Sequence, residues 1–179
     1  MDQQTEITAL KNLTSIPYLD EKGCLPEELQ GKIGVYAIFN QEKKLQFVGY
    51  SRDIYLSIKQ HLVRQPENCY WLKTQIINRP SRTILENIRS FWLEENGEIP
   101  PGNGSEMAKW NEPINAKVTM TTAEKEEYAK SEELTQIKLL KKVARKVETE
   151  IKDKLKQRGW QEEIRFNPKM KEQGLLDLK

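Results

Sequence analysis

The alternation of apolar and polar positions divides the chain into a strand-rich first half and a helical last third. Residues 31–40, Gly-Lys-Ile-Gly-Val-Tyr-Ala-Ile-Phe-Asn, are rich in β-branched and aromatic side chains and bounded by Gly31 and Asn40, a pattern that predicts a strand. Gln41 to Lys44 read as a polar turn. Leu45-Gln46-Phe47-Val48-Gly49 then predicts a second strand at hairpin distance, paired antiparallel with the first. Ile54, Ile58 and Leu62 recur at the spacing of one helix face, so a helix is expected from Asp53 to Val63, with Asp53 or Ser51 as N-cap and Pro66 as its end. Cys69 to Ile77 suits a third strand. Pro80-Ser81 introduces a helix in which Ile84, Leu85, Ile88 and Trp92 share a face, and Asn96-Gly97 closes it. Residues 100–105 form a loop dense in Pro and Gly.

The pattern changes after residue 115. Thr121-Thr122-Ala123-Glu124 has the form of a capping box. From Leu134 onward, Ile137, Leu140, Ala144, Val147, Ile151 and Leu155 return at spacings of three and four, which predicts one long amphipathic helix stopped at Gly159. Such a stripe needs a covering surface, so self-association through the Ile137–Leu155 stripe is one expectation. The tail from Trp160 to Lys179 is expected to add a short strand over Glu163-Ile164-Arg165-Phe166. The pattern implies an α+β fold. A small, mainly antiparallel central sheet of three or four strands is flanked by helices, with the long C-terminal amphipathic helix packed on it or projecting. The expected division is an acidic N-terminal segment over 1–30, the sheet domain over 31–115, and a helical extension and tail over 116–179.

Charge adds a direction. The total is close to balance, 29 Lys and Arg against 27 Asp and Glu. Residues 1–30 nevertheless carry six acids against two lysines, and residues 134–158 carry nine Lys and Arg against three acids. Lys138, Lys141, Lys142, Arg145 and Lys146 can form a phosphate-binding stripe, although charge runs on long helices commonly serve only as solvated faces. No apolar run approaches the roughly 18 residues of a membrane span, and the N-terminus lacks the basic start and apolar stretch of a secretory signal. A soluble, unexported, cytoplasmic protein is therefore expected. Cys24, Cys69 and the sole histidine, His61, cannot build a four-ligand zinc site, so any metal must be held by oxygen.

The first strand with Gly-Val-Tyr, the second with Phe-Val-Gly, and the serine and helix histidine that follow resemble the GIY-YIG nuclease family over about half of the chain. In that family two tyrosines, a helix arginine and a later glutamate assemble a site that cuts phosphodiester bonds. The carboxylate holds a divalent cation, a phenol handles the attacking water, and a guanidinium stabilises charge on the phosphate. The resemblance places Tyr36 at the first tyrosine and Gly34 and Gly49 at the motif glycines. Phe47 stands at the second tyrosine without its hydroxyl, and Ser57 fills the arginine position. His61 falls on the helix histidine and Glu86 on the metal glutamate, with Glu94 and Glu95 as weaker alternatives. Arg52 or Arg64 could supply the missing cation. A narrower likeness runs through residues 47–54, Ser57, His61-Leu62, residues 66–69 and residues 100–103. It is similar to the N-terminal domain of plant plastid monothiol glutaredoxins, a subgroup that also lacks the helix arginine and is associated with DNA cleavage and redox control. No Cys-Gly-Phe-Ser or Cys-x-x-Cys motif occurs here, so glutathione and iron–sulfur chemistry are not carried over.

These residues also have plainer readings. Strand aromatics such as Tyr36 and Phe47 are usually packed core, His61 is commonly a packing histidine, and Glu86 can simply pair with Arg89 or Ser90. Cys69 reads as a small hydrophobe, its candidacy for redox chemistry requiring a low pKa and exposure. Trp110 and Trp160 read as anchors for the loop and the tail. The expected function is a DNA endonuclease or nickase dependent on Mg2+ or Mn2+, with Tyr36 on the water, Glu86 on the metal, Arg52 or His61 on the phosphate and the basic helix along the backbone. The alternative is an inactive module of the same fold that binds nucleic acid or a protein partner.

Overall fold

A computed structural model describes residues 6–179; residues 1–5 of the acidic lead, Asp2 among them, lie outside the described residues. The chain divides into two compact units, one ending at Asn111 and the other running from Glu112 to Lys179.

The first unit is built on a four-stranded antiparallel sheet. Its strands are β1 (Ile16–Pro17), β2 (Ile33–Phe39), β3 (Leu45–Ser51) and β4 (Trp71–Ile77), in the spatial order β1-β4-β2-β3. Alternation along β2 and β3 gives both faces a packed layer. Val35, Ala37 and Val48 belong to a core with Leu10, Leu85, Ile88 and Trp92, which seats helix α2 (Arg82–Asn96) on one face. Tyr36, Ile38 and Phe47 point the other way, toward helix α1 (Ile54–Arg64) with its buried Ile54, Ile58 and Leu62. Fully burying side chains of this size contributes roughly 1.5–3 kcal/mol each, so the two layers dominate the stability of the unit.

Local signals set the helix ends. Asp53 caps α1 by accepting from Leu56 N–H, Ser81 caps α2 by accepting from Ile84 N–H, and Gly97 ends α2 at φ 80°, a left-handed conformation that glycine adopts without a Cβ penalty. Residues 6–30, which the charge pattern set apart, supply part of this unit. Leu10, Tyr18, Leu25 and Leu29 are buried, β1 pairs with β4, and Trp92 Nε1–H donates to Thr8 O at 2.8 Å. On the opposite edge, the Asn103 side chain lies along β3. Its Oδ1 accepts from Val48 N–H and its Nδ2 donates to Val48 O, both at 2.8 Å.

The second unit consists of β5 (Ile114–Asn115), α4 (Thr122–Lys130), α5 (Glu133–Gln157), α6 (Pro168–Lys171) and β6 (Leu175–Leu176); α3 (Met107–Asn111) closes the first unit. The capping box at Thr121 and Glu124 is formed. Helix α5 is 25 residues long. Its buried side chains, Leu139, Leu140, Val143, Ala144, Val147, Ile151 and Leu155, form the inner face of the helix, which packs against α4, α6, β6 and the turn at Ala116–Thr119. The expected strand at Glu163–Phe166 is only a single bridge, Phe166 to Leu178; the paired strands are β5 and β6. Among the described residues no helix is long and apolar enough to cross a membrane.

Candidate functional site

Antiparallel register puts Tyr36 opposite Gly49 and Ile38 opposite Phe47, so the Tyr36 and Phe47 rings stand on the face that meets α1. On α1, Ser57 and His61 are one turn apart and share a side. The result is a hydrogen-bonded cluster. The Tyr36 hydroxyl lies 2.8 Å from His61 Nε2 and also bonds Ser57, whose hydroxyl donates to Ser51 Oγ at 2.7 Å. Gly49 is needed here because a Cβ at that position would sit 2.5 Å from the Phe47 ring and 2.8 Å from the Tyr36 oxygen.

A roof of rings seals the cluster. Phe47 stacks on Trp110 with centroids 5.4 Å apart and planes 2° from parallel, and His61 lies 4.6 Å from Phe47 and 5.6 Å from Trp110. Gly102 passes so close that a Cβ would meet Gln46 O at 2.8 Å and the Phe47 and Trp110 rings at 2.9 Å. Tyr36 is 3% exposed and His61 4%. Burial raises the Tyr36 phenol above its ordinary range, against the Ser57 bond and the Arg64 charge, which pull it down. Burial first and the Arg64 charge second lower His61 to about 3, although the Trp110 backbone favours the protonated ring. His61 Nδ1 itself has no hydrogen bond of good geometry among the described residues. At neutral pH the pair is a neutral phenol beside a neutral imidazole, with Ser51 and Ser57, half-buried, as its outermost hydroxyls.

The structure does not bring Glu86 into this cluster. Tyr50 pairs with Val35, so it points to the α2 face, and its hydroxyl donates to Glu86 Oε1 at 3.2 Å. The same oxygen accepts from Arg82 Nε at 2.9 Å. That bond, the Tyr50 bond and the charges of Arg82 and Arg89 hold the Glu86 carboxyl below its ordinary range. Arg89 lies over the Tyr50 ring at 5.0 Å. Among the described residues no group of three or more His, Cys, Asp or Glu converges as a metal cluster. The Glu86 side chain is 40% exposed and ionised, with Oε1 engaged by Arg82 and Tyr50, so a mostly hydrated Mg2+ or Mn2+, which needs one or two carboxylates, would compete there with the Arg82 guanidinium. Glu95 instead accepts from the backbone N–H groups of Leu10 and Lys11, while Glu94 stays exposed on α2.

Among the remaining candidates, Arg52 is exposed on the turn between β3 and α1. Arg64 donates to Trp110 O at 3.0 Å and imposes its charge on both Tyr36 and His61. Cys69 is fully buried, its Sγ against His61 O at 3.6 Å, without the exposure that redox chemistry requires. On α5, Lys138, Lys142, Arg145 and Lys146 are exposed; Lys141 pairs with Glu172 at 3.4 Å. The sequence reading missed Tyr50 as the partner of Glu86, Ser51 as a member of the Tyr36 cluster, and Trp110 as its roof. The first two were available from strand alternation. Trp110, forty-nine positions after His61, left no local signal.

No family model matches the chain. Over 102 residues it is 35% identical to a protein of Arabidopsis thaliana named bifunctional monothiol glutaredoxin-S16, chloroplastic. The match covers 55% of this chain and 34% of the Arabidopsis protein, so about half of the chain is similar to part of that relative and spans about a third of its length.

Proposed function

We propose that residues 31–115 form a GIY-YIG-type domain and that the protein is a DNA endonuclease or nickase with an atypical site, working with Mg2+ or Mn2+. The observation that carries this reading is the convergence of Tyr36, Phe47, Ser57 and His61 in one hydrogen-bonded, ring-packed cluster. The relative's printed name calls it bifunctional. Because this chain has no Cys-Gly-Phe-Ser and its Cys69 is sealed, the shared stretch is assigned to the activity other than the monothiol one. Tyr36 then acts as a positioning residue that holds the Ser57 hydroxyl. Glu86 would hold the divalent cation, which supplies charge to polarise a phosphate oxygen. Tyr50 and Ser51 are consecutive residues at the end of β3, so Glu86 and Ser57 flank the same strand end from its two sides.

The burial of Tyr36 and His61 favours a second reading, in which the fold binds DNA without cutting it. Neither a raised phenol nor a depressed imidazole takes up a proton near neutral pH. Loss of one preorganised donor to a developing anion typically costs about a hundred- to a thousandfold in rate, and Ser57 carries no charge to replace the arginine. Incubation of supercoiled plasmid with the purified protein and Mg2+ or Mn2+ decides between them. Nicking that disappears in Glu86→Ala supports the nuclease. Absence of nicking, or equal nicking by Glu86→Ala, assigns the protein to the binding class.

A further inference from the structure

One end of the first unit gathers positive charge that has few carboxylates to answer it. Register pairs Gly34 with both Ser51 and Ile76, and Ile33 with Ile77. Lys32, Arg52 and Arg79 therefore leave three neighbouring strands, β2, β3 and β4, at the same end of the sheet. Both helices start there. Ile54 N–H donates to Lys32 O at 3.0 Å, which ties the first residue of α1 to that end, and α2 opens at Arg82, three residues after Arg79. Lys32, Arg52, Arg79 and Arg82 are all exposed, the Arg82 side chain by 84%. Arg89 adds a fifth cation two turns along α2, over the Tyr50 ring.

Among the described residues, no ion pair engages Lys32, Arg52 or Arg79. Of the carboxylates near this end, Asp53 is committed to capping α1, Glu86 bonds Arg82, and the exposed Glu6 lies on the outer edge of β4, its backbone O accepting from Gln75 Nε2 at 2.9 Å. Glu27 and Glu28 sit on the turn that packs against α1, on the opposite flank from α2. The long helix differs. Lys141 pairs with Glu172, Lys152 with Glu148, and the charges of Lys142 and Lys146 fall on Glu124, so much of the α5 charge is answered within its own unit.

We infer that this protein holds nucleic-acid phosphates at the Lys32–Arg52–Arg79–Arg82 end of the sheet rather than along the exposed face of α5. The inference rests on the DNA reading above and specifies its surface. Three of the four cations are arginines, whose planar, weakly hydrated guanidinium groups match phosphate oxygens in pairs. A backbone seated there runs past the strand end that Glu86 and Ser57 flank.

The test is fluorescence anisotropy of a labelled DNA duplex with the full chain in EDTA, from 50 to 200 mM KCl, so that cleavage plays no part. Four phosphate contacts predict a slope of log affinity against log salt of about −3.6, or a loss of about 150-fold across that range. Arg79→Ala with Arg82→Ala should flatten the slope by about 1.8, leaving roughly a 12-fold loss. Lys138→Ala with Arg145→Ala should leave it unchanged. Flattening by the α5 pair and not by the sheet-end pair overturns the inference, as does binding to anionic phospholipid vesicles that is tighter than binding to DNA. Arg79- and Arg82-dependent binding with no plasmid nicking sinks the nuclease reading alone and leaves this surface standing.

Discussion

His61 is the only histidine in the chain, and its burial makes the stability of the first unit dependent on pH in a window where few other side chains titrate. The ring is 4% exposed, shares its Nε2 with the Tyr36 hydroxyl, and lies near the Arg64 charge. Folding lowers its pKa from 6.5 to about 3. The unfolded chain therefore binds a proton on His61 below pH 6.5 that the folded chain refuses until about pH 3. Stability linked to this group is complete above pH 6.5 and drains away as pH falls. At 1.36 kcal/mol per pH unit, the drop between pH 6.5 and pH 5 is about 2 kcal/mol, a figure that requires only that the folded pKa lie well below 5. The loss approaches roughly 5 kcal/mol near pH 3, a large share of the roughly 5–15 kcal/mol that holds a typical domain together. Urea unfolding at pH 7.5, 6.5, 5.5 and 5.0, followed by tryptophan fluorescence, measures it, since Trp71, Trp92 and Trp110 lie in the first unit. His61→Gln keeps a polar side chain and removes the titration, so its profile should stay flat from pH 7.5 to 5.5. Stability of the wild-type chain constant to within about 0.5 kcal/mol over that window, or an imidazole NMR signal titrating near 6.5 in the folded protein, would refute the sealed cluster.

Two further outcomes follow from the same packing. Asn103→Ala removes two 2.8 Å bonds to Val48 and should cost about 2 kcal/mol at roughly 1 kcal/mol per bond. That is a fall of about 4–8 °C in Tm for a chain of this size; a shift under 1 °C would show that water replaces the amide at no cost. Ellman's reagent should titrate Cys24 but not Cys69 in the native protein, and both in denaturant, because Cys69 is fully buried whereas Cys24 is partly exposed. A Cys69 thiol that reacts as fast as Cys24 would contradict the packing around it.

Much of the architecture was legible in the chain because its determinants are local. Asp53, Ser81, Gly97 and the Thr121–Glu124 box end or begin helices within a few residues of themselves, and the period-two runs of β2 and β3 announce a hairpin. What escaped was set by distant partners. β1 is two residues long and exists because Ile16 and Pro17 meet Leu72 and Trp71; β5 and β6 find each other across some sixty positions. The charge at residues 1–30 suggested a separate segment, whereas Leu10, Tyr18, Leu25 and Leu29 are sealed in the first unit. At the site, the meeting of Tyr36 with His61 could be anticipated from motif spacing. The placement of Glu86 could not be read from motif order; it depends on α2 covering one face of the sheet while α1 covers the other. Strand alternation at Tyr50 was the available clue.

The side-chain amide of Asn103 has a consequence for assembly. An edge strand with open N–H and C=O groups is a template on which another chain can polymerise. Here the amide takes the place of that second chain at the middle of β3, occupying both groups of Val48. The opposite edge is a two-residue strand in which Pro17 has no N–H to offer. The sheet thus carries a block at each edge, Asn103 on Val48 and Pro17 beside Trp71, where a second copy of the chain would otherwise find open backbone groups to pair with.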